Sequence, residues 1–168
     1  QIIAKGPARV PSLKDVEGCD AVLIVGEDIS NTAPRLALAL HSSVRQKPMA
    51  IARKLNIPYW DDAAVREAIQ DKRGPLFVAT PAATRLDALA TAVFRAAPDD
   101  LARLASAVAQ ALQKDAPVVP DLTEDMRARV EMIVQTLREA EHPLIISGTA
   151  MGDEALIHAA ANVARALC

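Results

Sequence analysis

Two loops of small residues in this sequence follow apolar runs and precede helical patterns, the place where α/β proteins hold anions. The first runs Gly26-Glu27-Asp28-Ile29-Ser30-Asn31-Thr32 and the second Ser147-Gly148-Thr149-Ala150-Met151-Gly152. Backbone N–H groups in either loop could cradle a phosphate. The residue types argue for plain turns. A dinucleotide fingerprint needs further glycines to let the backbone approach a pyrophosphate. Here Asp28, Asn31 and Pro34 stand instead, and Glu27 and Asp28 would repel a phosphate at the helix start. The second loop lacks the Lys and the following Ser/Thr of a P-loop.

Other reactive side chains are scattered. His41, His142 and His158 are separated singles, and none has a Cys or carboxylate at metal-ligand spacing. Surface or capping roles outweigh ligation for each. The adjacent pairs Asp61-Asp62 and Asp99-Asp100 stand where helix caps are wanted, which outweighs acid–base work. Cys19 precedes a buried run and has no neighbouring His or cation to activate it, so a structural thiol is expected. Two isolated cysteines, Cys19 and Cys168, cannot supply a four-ligand iron–sulfur centre. No catalytic residue and no metal ligand is therefore assigned.

The totals bound the class. The 168 residues suffice for one α/β unit, and 51% hydrophobic with 24% charged residues is a globular balance. Only Tyr59, Trp60, Phe77 and Phe94 are aromatic, so there is no platform for stacking bases. A net charge of −2 argues against nucleic acid or an anionic membrane as partner. No apolar run reaches bilayer length. The cysteine usage suits a reducing, cytoplasmic setting. The chain opens on Gln1 and closes on Cys168 within an unfinished helical pattern, so a segment of a longer protein is expected.

The elements that must position these loops read clearly in places. Ala21–Val25, Leu76–Ala79 and Leu144–Ser147 are uninterrupted apolar runs suited to strands buried on both faces. Ile57–Trp60 is a weaker strand. Ser12 and Asp15 form a capping box for a short helix ending at Gly18. Thr32 is read as the cap of a helix with Pro34 in its first turn and Leu36, Ala37, Leu40 and Val44 facing inward. The basic stretch from Gln46 to Asn56 gives no clear reading. Asp61 or Asp62 caps a helix to Gln70, and Asp71–Gly74 is a turn. Leu86, Leu89, Ala90 and Val93 mark a short helix. Leu101, Leu104, Ala105, Val108, Ala109 and Leu112 make the cleanest helical stripe. Residues 115–122 read as a connector and a sub-boundary within a single unit spanning 1–168. Thr123 caps the next helix, with Met126, Val130, Ile133, Val134 and Leu137 inward. Leu156, Ile157, Ala160, Ala161, Ala164 and Leu167 mark the last. Strands alternating with helices predict a three-layer αβα fold on a mainly parallel, Rossmann-like sheet.

Several of these segments together resemble a known family. They are Ser12–Glu17, Cys19–Asp28 and Ala33–Ala39, then Phe94-Arg95-Ala96 with Pro98 and Asp100–Leu104, then His142–Thr149 with Ala159–Ala164. The resemblance is to the large iron–sulfur (G) subunit of bacterial NADH:quinone oxidoreductase, respiratory complex I, and it is weakest between residues 46 and 74. The C-terminal part of that family is similar to molybdopterin oxidoreductases such as formate dehydrogenases. In those enzymes a Gly-x-Asn loop follows the first strand and Asp-Pro-Arg the next, helping to hold the guanosine half of a pterin cofactor. Here Gly26 is kept with Asp28 in place of the Asn, and Thr80-Pro81-Ala82 keeps the proline and neither charge.

The resemblance implies a retained scaffold whose site has decayed, with Gly26, Asp28, Thr80, Pro81 and Gly148 as relic loop residues. It implies no cofactor in this segment and iron–sulfur clusters elsewhere in the full-length protein. Its implied partners are the remainder of its own chain and other subunits of the peripheral arm, at the cytoplasmic face of the inner membrane and without membrane insertion. The old pocket, lined by Asp28, Ile29, Pro81, Ala82 and Ala83, is expected to be shallow. The competing expectation is an intact ligand-binding domain, either of a molybdopterin-dependent oxidoreductase or of another nucleotide-binding α/β protein.

Overall fold

Strand β1 (Ala21–Val25) carries five apolar residues in a row, and every one is buried. An unbroken run of this kind is stable only with both faces covered, which is what a central parallel strand provides. In the computed structural model, which describes residues 8–54, 73–113 and 118–168, β1 is indeed central. It pairs in parallel with β2 (Leu76–Ala79) on one side and with β4 (Pro143–Ser147) on the other. Strand β3 (Ala92–Phe94) pairs with β2, giving the order β3-β2-β1-β4. Among the described residues, no strand pairs with the outer edge of β4.

Side chains of β1 alternate between two cores. Ala21, Leu23 and Val25 meet helices α4 (Pro98–Leu112), α5 (Glu124–Glu139) and α6 (Glu154–Ala166). Val22 and Ile24 meet α1 (Leu13–Glu17) and α3 (Pro34–Lys54) on the other face, where Val16, Leu40, Val44 and Leu86 complete the layer. The result is the expected three-layer αβα arrangement. Fully burying a side chain such as Leu23 contributes about 1.5–3 kcal/mol, so the central strand is a large stabilising block. Asp20, just before β1, accepts from the backbone N–H groups of Glu141 (2.8 Å) and His142 (2.9 Å). That carboxylate holds the start of β4 beside the start of β1.

The three strong strands stand where their apolar runs predict, with β4 starting one residue earlier, at Pro143. The capping box of α1 is present: Asp15 accepts from Ser12 N–H at 2.9 Å, and Ser12 Oγ from Asp15 N–H at 3.3 Å. Thr123 caps α5 as expected.

Three local readings need correction. The helix expected over Leu86–Val93 is a single 3-10 turn, Arg85–Ala88, followed by β3. The 86, 89, 90, 93 spacing fits a helix, yet the capping box of Thr84 and Asp87 closes one turn and the chain then pairs with β2. Thr32 does not cap the long helix. It ends a one-turn helix α2 (Ile29–Thr32) capped by Asp28, and its hydroxyl donates to the Asp28 carbonyl at 2.9 Å. Helix α3 then begins at Pro34 and continues through the basic stretch to Lys54. Asp99 and Asp100 lie inside the first turn of α4, after Ala97 at the cap position and Pro98 at the first helical one. They favour the helix through its dipole instead of through a cap bond. The expected strand Ile57–Trp60 and the helix from Asp61 or Asp62 to Gln70 lie outside the described residues, as does part of the 115–122 connector.

Candidate functional site

The chain leaves β1 towards β2 and β3 on one side and returns to β4 on the other. The point where order reverses lies between the C-terminal ends of β1 and β4, where open α/β sheets place ligands. Both small-residue loops meet there. Gly26 ends β1 with φ of 72°, a conformation that favours glycine, and its N–H donates to the Ala79 carbonyl at 2.8 Å. A β-carbon on it would also stand 2.9 Å from Leu156 Cδ1 of α6.

The next residue turns its side chain inward. Glu27 is a carboxylate only 6% exposed. Its Oε2 accepts from the Ala150 N–H at 3.3 Å, across from the first loop to the second. Gly148 makes this possible, since a β-carbon there would lie 2.6 Å from the Glu27 carboxyl carbon and overlap Oε2 itself. The other oxygen, Oε1, is buried without a hydrogen-bond partner, and so is Ser147 Oγ at the end of β4. Asp28 has a different task. Its carboxylate accepts from Ser30 N–H at 3.1 Å and from the Asn31 side-chain amide, so it is spent on the turn into α2.

The loop after β2 forms the opposite wall. Thr80 is buried, its N–H donates to the Phe94 carbonyl at 3.1 Å, and its hydroxyl donates to the Ala82 carbonyl at 3.0 Å. Pro81, Ala82 and Ala83 are exposed. Arg95, which follows β3, binds this loop from behind through the Thr80 carbonyl (3.1 Å) and hydroxyl, and forms an ion pair with Asp87. Asp87 also accepts from Thr84 N–H (3.1 Å) and Thr84 Oγ1 (2.8 Å). Burial alone would raise the Asp87 carboxyl, but the hydrogen bonds from Arg95 and Thr84 outweigh it and hold the group below the usual carboxylate value.

Gly26, Glu27, Asp28, Thr80, Pro81, Ala82, Ala83, Thr84 and Met151 together line a recess of about 50 Å³. It has room for a water or two, and the only ionisable side chains in its lining are those of Glu27 and Asp28. Four of the five residues singled out in the sequence, Gly26, Asp28, Thr80 and Pro81, thus meet in one recess; Gly148 stands on its far side, against Glu27. Sequence reasoning treats Glu27 as a repulsive member of the first loop and misses its insertion into the second. It also misses the Arg95–Asp87 pair. The local signal for the first is a glycine at each loop, leaving backbone space for one side chain from the other.

The remaining reactive groups stay apart. His41, His142 and His158 are all exposed. Among the described residues, no group of three or more His, Cys, Asp or Glu side chains could hold a metal ion. Cys19 is buried, which pushes its thiol up, and Asp20 and Asp15 push it further the same way. Among the described residues, no helix is long and apolar enough to cross a membrane.

No known protein-family model matches the chain. Individual relatives do. The chain is 46% identical over 167 residues to the G subunit of the NADH-quinone oxidoreductase of Pseudomonas fluorescens. It is 42% identical over 166 residues to that of Pseudomonas putida and 40% over 167 residues to that of Escherichia coli K12. In each case 99% of this chain is covered, and it spans 18% of the relative's length. From end to end, then, this chain is similar to one stretch of the NADH-quinone oxidoreductase G subunit, at an identity far above what a shared α/β fold alone produces.

Proposed function

We propose that this chain is a structural and assembly segment of the G subunit of a respiratory NADH:quinone oxidoreductase, with no catalytic centre of its own. The observation that carries this is the 40–46% identity across 99% of the chain to proteins of that name. The whole complex would pass electrons from NADH to quinone. Its iron–sulfur clusters would lie in other parts of the full-length protein. The partners of this segment would be the rest of its own chain and neighbouring subunits of the peripheral arm, on the cytoplasmic face of the inner membrane.

The chemistry of the recess supports a non-binding role. A pterin or adenine dinucleotide brings a pyrophosphate, which needs glycine-lined backbone or cations. Gly26, Asp28, Thr80, Pro81 and Gly148 offer instead a spent carboxylate, an exposed Pro-Ala-Ala wall and a turn already holding Glu27. Arg95 is taken by Asp87 and Thr80. The backbone edge of β4, to which no strand pairs among the described residues, supports a docking role. Unpaired apolar edges recruit further strands, and charges that would discourage this are absent from Leu144–Ser147.

The experiment is made in the full-length protein within its complex. Ile145→Lys puts a charge against the core on which β4 packs, and should lower the amount of assembled complex on a native gel and NADH:quinone activity in the same proportion. Normal assembly with lowered activity per complex would overturn the reading, because the segment would then take part in the reaction. A thermal-shift screen of guanosine and adenine nucleotides should give no rise; a concentration-dependent rise would favour an intact ligand-binding domain.

A further inference from the structure

Glu27 does what a bound phosphate does elsewhere. Its carboxylate sits in the Gly148–Met151 turn ahead of helix α6, on a backbone N–H, in space that only a glycine leaves open. We propose that this turn is an oxyanion site whose resident is the protein's own Glu27, and that an inorganic phosphate or a phosphate monoester takes the place once that side chain is removed.

Three observations support it independently of any assembly role. First, the carboxylate is nearly sealed from solvent, yet only one of its oxygens is hydrogen-bonded. A buried carboxyl group needs polar partners, and the backbone N–H of Ala150 is the one this turn supplies. Second, Ser147, the last residue of β4 and the chain neighbour of Gly148, has a hydroxyl buried with no partner. A tetrahedral oxyanion has more oxygens than a carboxylate with which to meet it. Third, the recess that opens beside the turn is bordered by both Glu27 and Met151, so removing the Glu27 side chain joins the turn to solvent space. Asp153 does not compete for the turn, because its carboxylate is already engaged in capping α6 through Ala155 N–H at 2.8 Å.

The test uses the full-length protein and inorganic phosphate, titrated to tens of millimolar against chloride at equal ionic strength, with unfolding followed by differential scanning. Glu27→Ala should show a phosphate-dependent rise in Tm, while the wild type shows none. Asp28→Asn removes a charge from the same loop without emptying the turn, and should behave as the wild type. If Glu27→Ala does not fold, Glu27→Ser empties the turn in the same way, and its Tm should rise with phosphate while that of the wild type does not. Absence of a rise in every folded Glu27 variant would overturn the proposal. So would an equal rise in the wild type, or one in Asp28→Asn matching that in Glu27→Ala, since either would mean that phosphate binds outside this turn. The assembly reading is scored separately, by the amount of complex formed, and stands or falls on its own.

Discussion

Gly148 and Glu27 occupy what would be the same space: the carboxylate of one fills the volume in which the other would carry a side chain. The two residues belong to loops at the ends of non-consecutive strands, β1 and β4, so their fit ties the two loops together at the reversal point of the sheet.

The fit has a direct thermodynamic signature. Gly148→Ala should destabilise the protein by about 1–3 kcal/mol, the usual cost of overpacking. In a Glu27→Ala background the same substitution should cost far less, because the atoms it strikes are gone. Denaturant unfolding of the two single variants and the double variant gives the coupling energy. Additive effects would show that the two side-chain positions do not compete.

Gly26 should respond differently. Its φ of 72° penalises any side chain, by about 1–2 kcal/mol, and Leu156 Cδ1 stands in the way as well. Gly26→Ala should therefore destabilise more than Gly152→Ala. Gly152 shares the left-handed backbone, with φ of 64°, but a β-carbon there meets nothing within 4 Å. Chemical denaturation midpoints of the two variants, at equal m-value, make the comparison.

The Arg95–Asp87 pair predicts an acid dependence. Asp87 is held below its ordinary value of 3.8 in the folded protein. A depressed carboxyl contributes stability that is fully present above the unfolded value and is lost as pH falls through the folded one. Asp87→Asn should thus destabilise at neutral pH by about 1–2 kcal/mol, from lost charge-assisted hydrogen bonds. It should also flatten the stability profile below about pH 4, near the ordinary carboxylate range. A profile of unchanged slope would mean that the pair does not form in solution.

The two thiols should separate kinetically. Cys19 is buried and its thiol is pushed up by desolvation, with Asp20 and Asp15 adding to it, whereas Cys168 is exposed. A thiol reagent at mildly alkaline pH should modify Cys168 quickly and Cys19 only at the rate of local opening. In the 168-residue chain, Cys168→Ser should remove the fast phase.

Legibility in the sequence follows the strength of its local signals. Ala21–Val25 and Leu76–Ala79 announce themselves because a buried parallel strand needs an unbroken apolar run. Strand β3 does not, because Ala92–Phe94 is short, half-buried and preceded by apolar spacing that mimics a helix. The cap of α2 is ambiguous for a related reason: Asp28 and Thr32 are both good capping residues, and only the break at Ala33 decides between them. Four of the five relic-loop residues converge as their strand-end positions imply. The contact between Glu27 and the second loop, 123 residues away, cannot be read from either segment alone, since each glycine and each glutamate looks like an ordinary turn residue in its own neighbourhood.

The central place of β1 carries a consequence for how the chain is made. Its partner on one flank, β4, joins it through residues 122 positions later, as the Asp20–His142 bond records. A ribosome adding about 5–20 residues per second needs on the order of ten seconds to deliver that second flank. Through that interval Ala21–Val25 has one backbone edge without its native neighbour, in a segment of high β-propensity and no charge. An unpaired apolar strand of this kind is prone to aggregate until Leu144–Ile146 emerges. Its yield should depend on translation speed across the intervening helices more than on the final stability of the folded unit.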